Sequence, residues 1–230
     1  MDDLNQIVLE IRYKPNPKVL DYRGAWAEAI SSHMKFSEWR IVENRIDIYD
    51  AKNIERAFVG FKNVGYTIQD SPTKNYFPEK ASKFFKFLFT LKEFGKTIFI
   101  ERFGLRTKFC KKYEGNFEEL MKKYTTNFLS LNENAKKMIN AKLLDIGCPL
   151  NFADKYGNFN TMSGPMVDKQ MGQFFEQAEQ FPSVGLYLDI DYWLTPKSEM
   201  NEQEILQNIN QFALSGWDRV ETISKLILEI

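Results

Sequence analysis

The segment Leu186 to Leu194 reads LYLDIDYWL, and its carboxylates Asp189 and Asp191 are the pair in this chain best suited to chemistry. In an extended strand, successive side chains alternate faces. Tyr187, Asp189, Asp191 and Trp193 then share one face, while Leu186, Leu188, Ile190, Tyr192 and Leu194 make the other face apolar. Two carboxylates side by side on an anchored strand suit a Mg²⁺ or Mn²⁺ site completed by substrate phosphates. Asp145, Asp168 and Glu101 are further candidate ligands. The competing account is a solvated strand face, or carboxylates held by arginine, and DxD is a common pattern.

A second constellation is Arg102-Phe103-Gly104-Leu105-Arg106. Arg102, Gly104 and Arg106 share a strand face. The missing side chain at Gly104 lets a ligand or another backbone come close, and two guanidinium groups suit a carboxylate or phosphate. The alternative is an ion pair to Asp189 or Asp191 on a neighbouring strand, with Gly104 at a bulge. Basic and aromatic residues also mix at Lys108 to Tyr113 and Lys80 to Lys86, as they do in single-strand binders. Ordinary helix amphipathicity accounts for the second set.

Several chemistries lack their residues. Cys110, Cys148 and His33 are the only cysteines and histidine, too few for a structural zinc site or a disulfide framework. A catalytic triad would need His33, which sits at the end of an expected helix where it suits the last carbonyls and the dipole. GxGxxG, GxxxxGK[ST] and GxSxG motifs are missing. With 31 basic and 31 acidic residues, the balance gives no reason to expect nucleic acid or an anionic membrane as partner. No run approaches the roughly 20 apolar residues that span a bilayer, and the N-terminus lacks a secretory pattern. The expectation is a cytoplasmic protein.

The elements that must position these residues follow from periodicity. Ile7 to Tyr13, Trp39 to Tyr49 (bulged near Glu43 and Asn44, where apolar parity switches), Thr97 to Cys110, Lys142 to Phe152 and Val184 to Leu194 read as strands. Ile54 to Phe61 and Tyr66 to Asp70 read as a hairpin across Asn63-Val64-Gly65. Helices are expected over Val19 to His33, from Pro78 through Leu91, from Asn116 and from Asn201, the last two opened by capping-box pairs with Glu119 and Glu204. Asn132 to Asn140 suits a short helix. The stretch 153–180, broken by glycines, reads as one strand and a short segment around Phe174 and Phe175. Grouped strands with helices between them indicate an α+β fold, mainly antiparallel, with helices packed on one face. The chain reads as one unit over 1–230, with a weak boundary that would divide it into two similar α+β halves, 1–131 and 141–230.

RFGLR at Arg102 to Arg106, LDID at Leu188 to Asp191, the Glu10-Ile11-Arg12 run and a closing amphipathic helix with Trp217 occur in the order seen in one group of proteins. In these features the chain resembles the uncharacterised "sporadically distributed" prokaryotic family. Thr107 departs from it, since the family often has an aromatic after GLR. The resemblance implies no established activity and no catalytic residues. Its patchy occurrence is associated with phage defence or toxin–antitoxin systems.

With no nucleophile–base pair, the leading expectation is a non-enzymatic protein-binding accessory module needing no cofactor. Its partner would be another protein, met through an aromatic surface at Tyr187 and Trp193. The alternatives are a Mg²⁺- or Mn²⁺-dependent phosphoesterase or nuclease at Asp189 and Asp191, and a nucleotide or anion binder at Arg102, Gly104 and Arg106.

Overall fold

Ten strands form one sheet in the computed structural model, which describes residues 3–52, 54–130, 141, 143–176 and 181–229. The strands are β1 (Leu4–Tyr13), β2 (Glu38–Val42), β3 (Arg45–Tyr49), β4 (Glu55–Gly60), β5 (Asn63–Gln69), β6 (Thr97–Lys112), β7 (Cys148–Ala153), β8 (Asn158–Val167), β9 (Val184–Leu194) and β10 (Ser198–Asn201). Their order is β2-β3-β4-β5-β1-β6-β9-β8-β7, every pairing is antiparallel, and β10 pairs with the start of β6. The helices are α1 (Lys18–Asp21), α2 (Arg23–Met34), α3 (Tyr76–Thr90), α4 (Phe117–Lys123, continued by a π-turn over Tyr124–Phe128), α5 (Asp168–Met171) and α6 (Glu202–Leu228). The fold is α+β, as the grouping of elements predicts.

The alternation along β1 explains the layering. Ile7, Leu9, Ile11 and Tyr13 are buried beneath helices, while Glu10 and Arg12 point away from them. The same parity carries Phe103, Leu105 and Phe109 of β6 and Leu188, Ile190 and Tyr192 of β9 into the main core. Each such side chain, fully withdrawn from water, contributes about 1.5–3 kcal/mol. The long helix α6 starts at a capping box, Glu204 N donating to Asn201 Oδ1 at 3.0 Å and Asn201 N to Glu204 Oε2 at 2.8 Å. It buries Ile205, Ile209, Phe212, Val220 and Ile227. At Gly216 the helix comes so close to β6 that an added Cβ would lie 2.7 Å from Thr107 Oγ1.

The helices α2, α3, α4 and α6 cover this one face. On the other, among the described residues, only α5 and the residues after it cover a corner, where Leu4, Cys110, Met171, Phe175 and Tyr187 form a second, small cluster. The rest is an open polar sheet. The element order also restarts: β1, helices, a meander and α3 are followed by β6, α4, a meander and α6. The restart falls at Thr97, and the two leading strands, β1 and β6, are neighbours at the centre of the sheet.

Local expectations differ in five places. The parity switch at Glu43 and Asn44 is a two-residue hairpin turn between β2 and β3, not a bulge. The next hairpin turns at Phe61 and Lys62 rather than across 63–65. The first helix breaks at Tyr22, and β7 begins at Cys148 rather than Lys142. No bulge falls at Gly104: β6 stays in register there with both neighbours, and the shift lies at Arg12 and Tyr13. The expected helix over Asn132 to Asn140 lies outside the described residues.

Candidate ligand-binding face

Period-2 alternation and antiparallel register together assemble the open face. Arg12 of β1 is directly opposite Arg102 of β6, and Glu10 is opposite Gly104. Across the other edge of β6, Gly104 faces Trp193, Arg106 faces Asp191 and Lys108 faces Asp189. Beyond β9, Asp191 faces Asn160, which faces Asn151 on β7. The two sequence constellations, 83 residues apart at Arg106 and Asp189, are therefore one constellation in the fold.

Arg106 grips Asp189. Its Nε donates to Oδ1 at 2.9 Å and to Oδ2 at 3.0 Å, and a terminal nitrogen also bonds Oδ2. The Tyr187 hydroxyl donates to Oδ2 at 3.1 Å. The Asp189 side chain is only 4% exposed, so this fork supplies the partners a buried carboxylate needs. Burial, and the charge of Asp189 beside it, push the Tyr187 hydroxyl far above its ordinary value. Tyr187 itself is buried against Phe174 and Phe175, so it presents no surface to a partner, unlike the expectation for it. Trp193 stays half-buried beside Gly104.

Arg102 is held more loosely, reaching Asp191 at 3.8 Å. Burial raises the Asp191 carboxyl above its ordinary value, opposed by the charge of Arg102. On β1, Arg12 Nε donates to Glu10 Oε1 at 2.9 Å and Asn63 Nδ2 to the same oxygen at 3.3 Å. Burial works against ionising Glu10, but these hydrogen bonds and the charges of Arg12 and Arg102 hold its carboxyl below the usual range.

Val8, Glu10, Arg12, Arg102, Gly104, Arg106 and Asp191 line a cavity of about 280 Å³. Gly104 forms part of it for a reason packing does not supply. A Cβ there would meet nothing closer than 3.7 Å, so the position would accept a side chain, which would fill open space above the strand. Gly65 on β5 is the contrast, since a Cβ there would lie 2.3 Å from the Phe58 ring. A second cavity of about 350 Å³ adjoins the first, sharing Arg106 and Asp191 and bounded further by Asn151, Asn160, Met162 and Phe174. The other open-face arginines are engaged: Arg40 and Arg45 both hold Asp47, and Arg56 holds Glu176.

Asp145 and Asp168, candidate co-ligands for a metal, make their own local contacts, with Gln170 and Ile146 for Asp145 and with Lys169 N for Asp168. Among the described residues, no group of three His, Cys, Asp or Glu side chains is placed to hold a metal ion. His33 stacks flat on Phe87, centroids 4.1 Å apart. Sequence reasoning missed Arg12, Glu10, Asn151 and Asn160 as cavity residues. Alternation puts Glu10 and Arg12 on a polar face, but nothing in the linear order says which strand lies beside them. Among the described residues, no helix is long and apolar enough to cross a membrane. No family model matches the chain, and no curated protein matches it either.

Proposed function

We propose that this protein is a binding module whose open sheet face holds a small phosphate-bearing ligand between Arg12 and Arg102, above Gly104. The observation that carries this reading is that Arg12 and Arg102 are directly opposite in register and both line a cavity where a glycine leaves the backbone uncovered. Guanidinium forks match phosphate oxygens in pairs. Among the described residues, Arg102 has only a long contact to Asp191 to give up. The cavity carboxylates set a competition: an entering anion displaces Glu10 from Arg12 and meets Asp191, whose raised carboxyl accepts a proton more readily than an ordinary aspartate.

The metal-dependent phosphoesterase alternative has less support, because both oxygens of Asp189 are already committed to Arg106 and Tyr187. Titration calorimetry with inorganic phosphate and pyrophosphate tests the proposal. Binding that Arg102→Ala abolishes, Gly104→Val blocks and Asp191→Asn strengthens is the expected result. Absence of binding to the unmodified protein at millimolar anion would overturn it.

A protein partner is a second role favoured by a separate feature. All five residues of the terminal strand β2 are exposed, including Trp39, Ile41 and Val42, and among the described residues no strand pairs with its outer edge. Such an edge suits strand addition by a partner. A ligand-responsive accessory module in a prokaryotic defence setting combines the two readings. Trp39→Ser should then weaken capture of that partner while phosphate binding is retained, and unchanged capture would remove β2 from the interface.

A further inference from the structure

The cavity over Gly104 does not stand alone. Arg106 and Asp191 line both it and the neighbouring cavity of about 350 Å³, so the two are compartments of one groove crossing the sheet. Their linings differ in chemistry. The first is built from three arginines and two carboxylates. The second is lined by Pro149, Met162 and Phe174 and by the amides of Asn151 and Asn160, beside Asp189 and the shared Arg106 and Asp191. Those amides are register neighbours on β7 and β8, and their side chains make no hydrogen bond among the described residues. A pocket with apolar side chains and unspent amides suits a flat heteroaromatic ring with donors and acceptors on its edge. The side-chain amide pairs with adenine in this way, accepting from N6 and donating to N7.

We infer that the groove binds a nucleoside monophosphate, with its phosphate at Arg12 and Arg102 and its base in the compartment bounded by Asn160, Met162 and Phe174. The inference rests on the phosphate reading above and extends it to a ligand class. The dimensions agree: Asn160 on β8 is in register with Arg106 on β6 through Asp191, and Gly104 lies two residues along β6, so two inter-strand spacings and that offset put Asn160 and Gly104 about 12 Å apart. That is the reach from the edge of a purine to its 5′-phosphate. Arg106 lies between the compartments. It gives Nε and one terminal nitrogen to Asp189, which fixes its plane and leaves the other terminal nitrogen to donate to the ribose or phosphate.

The test compares inorganic phosphate, ribose 5-phosphate and adenosine monophosphate by calorimetry on the unmodified protein and on Asn160→Ala, with circular dichroism to confirm that the variant is folded. The expected result is adenosine monophosphate binding at least tenfold more tightly than ribose 5-phosphate. Asn160→Ala should erase that gain and leave phosphate affinity unchanged. Phosphate binding with no gain from the base would overturn the nucleotide inference while the anion site stands. So would a gain that survives both Asn160→Ala and Phe174→Ala. Absence of binding by all three ligands would remove both readings together.

Discussion

At the scale of single residues, the open face separates a locked ion pair from loosely held ones. Asp189 is almost fully enclosed and depends on Arg106 for its charge balance. Arg106→Ala would leave that carboxylate buried with Tyr187 as its only donor among the described residues, and unfolding by denaturant should show a loss of about 3 kcal/mol. Arg102→Ala, which removes a 3.8 Å contact between partly exposed groups, should change stability by less than about 1 kcal/mol. Equal losses in the two variants would contradict the distinction. Asp191 gives a pH signature. Burial raises its carboxyl in the folded protein, so the folded state binds that proton more tightly than the unfolded chain does. The stabilising contribution is complete below the ordinary carboxylate range and is lost as pH rises through the raised value. Asp191→Asn should therefore melt higher than the unmodified protein near neutral pH, and the gap should close as pH falls through the carboxylate range. A gap independent of pH would mean that the side-chain change acts by other contacts. The candidate residues themselves were legible in the sequence, because strict alternation sorts Arg102, Gly104 and Arg106, and Asp189 and Asp191, onto polar faces. Their pairing with each other was legible as the ion-pair alternative, and Arg106 does hold Asp189 while Arg102 reaches Asp191; the place of Glu10 and Arg12 beside them was not, since which strand lies beside which is fixed by packing far along the chain.

At the scale of elements, local chemistry explains both what could be read and what could not. The starts of α4 and α6 are visible in the sequence because a capping box is a contact within four residues, and both form as written. The β2–β3 turn is less readable, because a two-residue turn and a bulge both switch apolar parity at Glu43 and Asn44. The stretch 153–180 holds β8 as the one strand expected there, but its bounds could not be read because Gly164 and Pro165 interrupt the alternation, although both residues pair with β9 as ordinary strand positions. The seating of α6 depends on a contact that no periodicity shows, Gly216 against Thr107. Gly216→Ala would place a methyl against Thr107 Oγ1, a buried hydroxyl with no hydrogen-bond partner among the described residues. The helix would have to lift from the sheet, so the expected loss is about 1–3 kcal/mol, despite alanine's better helix propensity. Thr107→Ala in the same chain removes the obstructing oxygen and should restore part of the loss. Strict additivity of the two changes in a double-mutant cycle would show that the two residues are not in contact.

At the scale of the whole molecule, the organising feature is the β1–β6 pair. These strands begin 93 positions apart, at Leu4 and Thr97, and their antiparallel pairing turns two successive sets of strands and helices into one ten-stranded sheet. That pairing also brings Arg12 beside Arg102, so the candidate site exists only when both parts of the chain are folded together. The core has the same continuity: Leu9 and Leu105 face each other across the pair, both fully buried, in the cluster that also holds Trp26 and Phe212. Unfolding one part would strip the inner edge of β1 or β6 of its hydrogen bonds and expose that shared apolar surface. The two parts should therefore unfold in a single cooperative transition. Tryptophans lie on both sides of the central pair, Trp26 on α2 and Trp217 on α6, and they allow a direct check. Variants retaining only one of these two tryptophans should give denaturation curves with coincident midpoints and slopes, and Leu105→Ala should shift both curves together by about 2–5 kcal/mol. Separate midpoints, or a Leu105→Ala shift seen only at Trp217, would mean that β1 and β6 join two independently stable halves, and that a ligand at Arg12 and Arg102 would be reporting on their association.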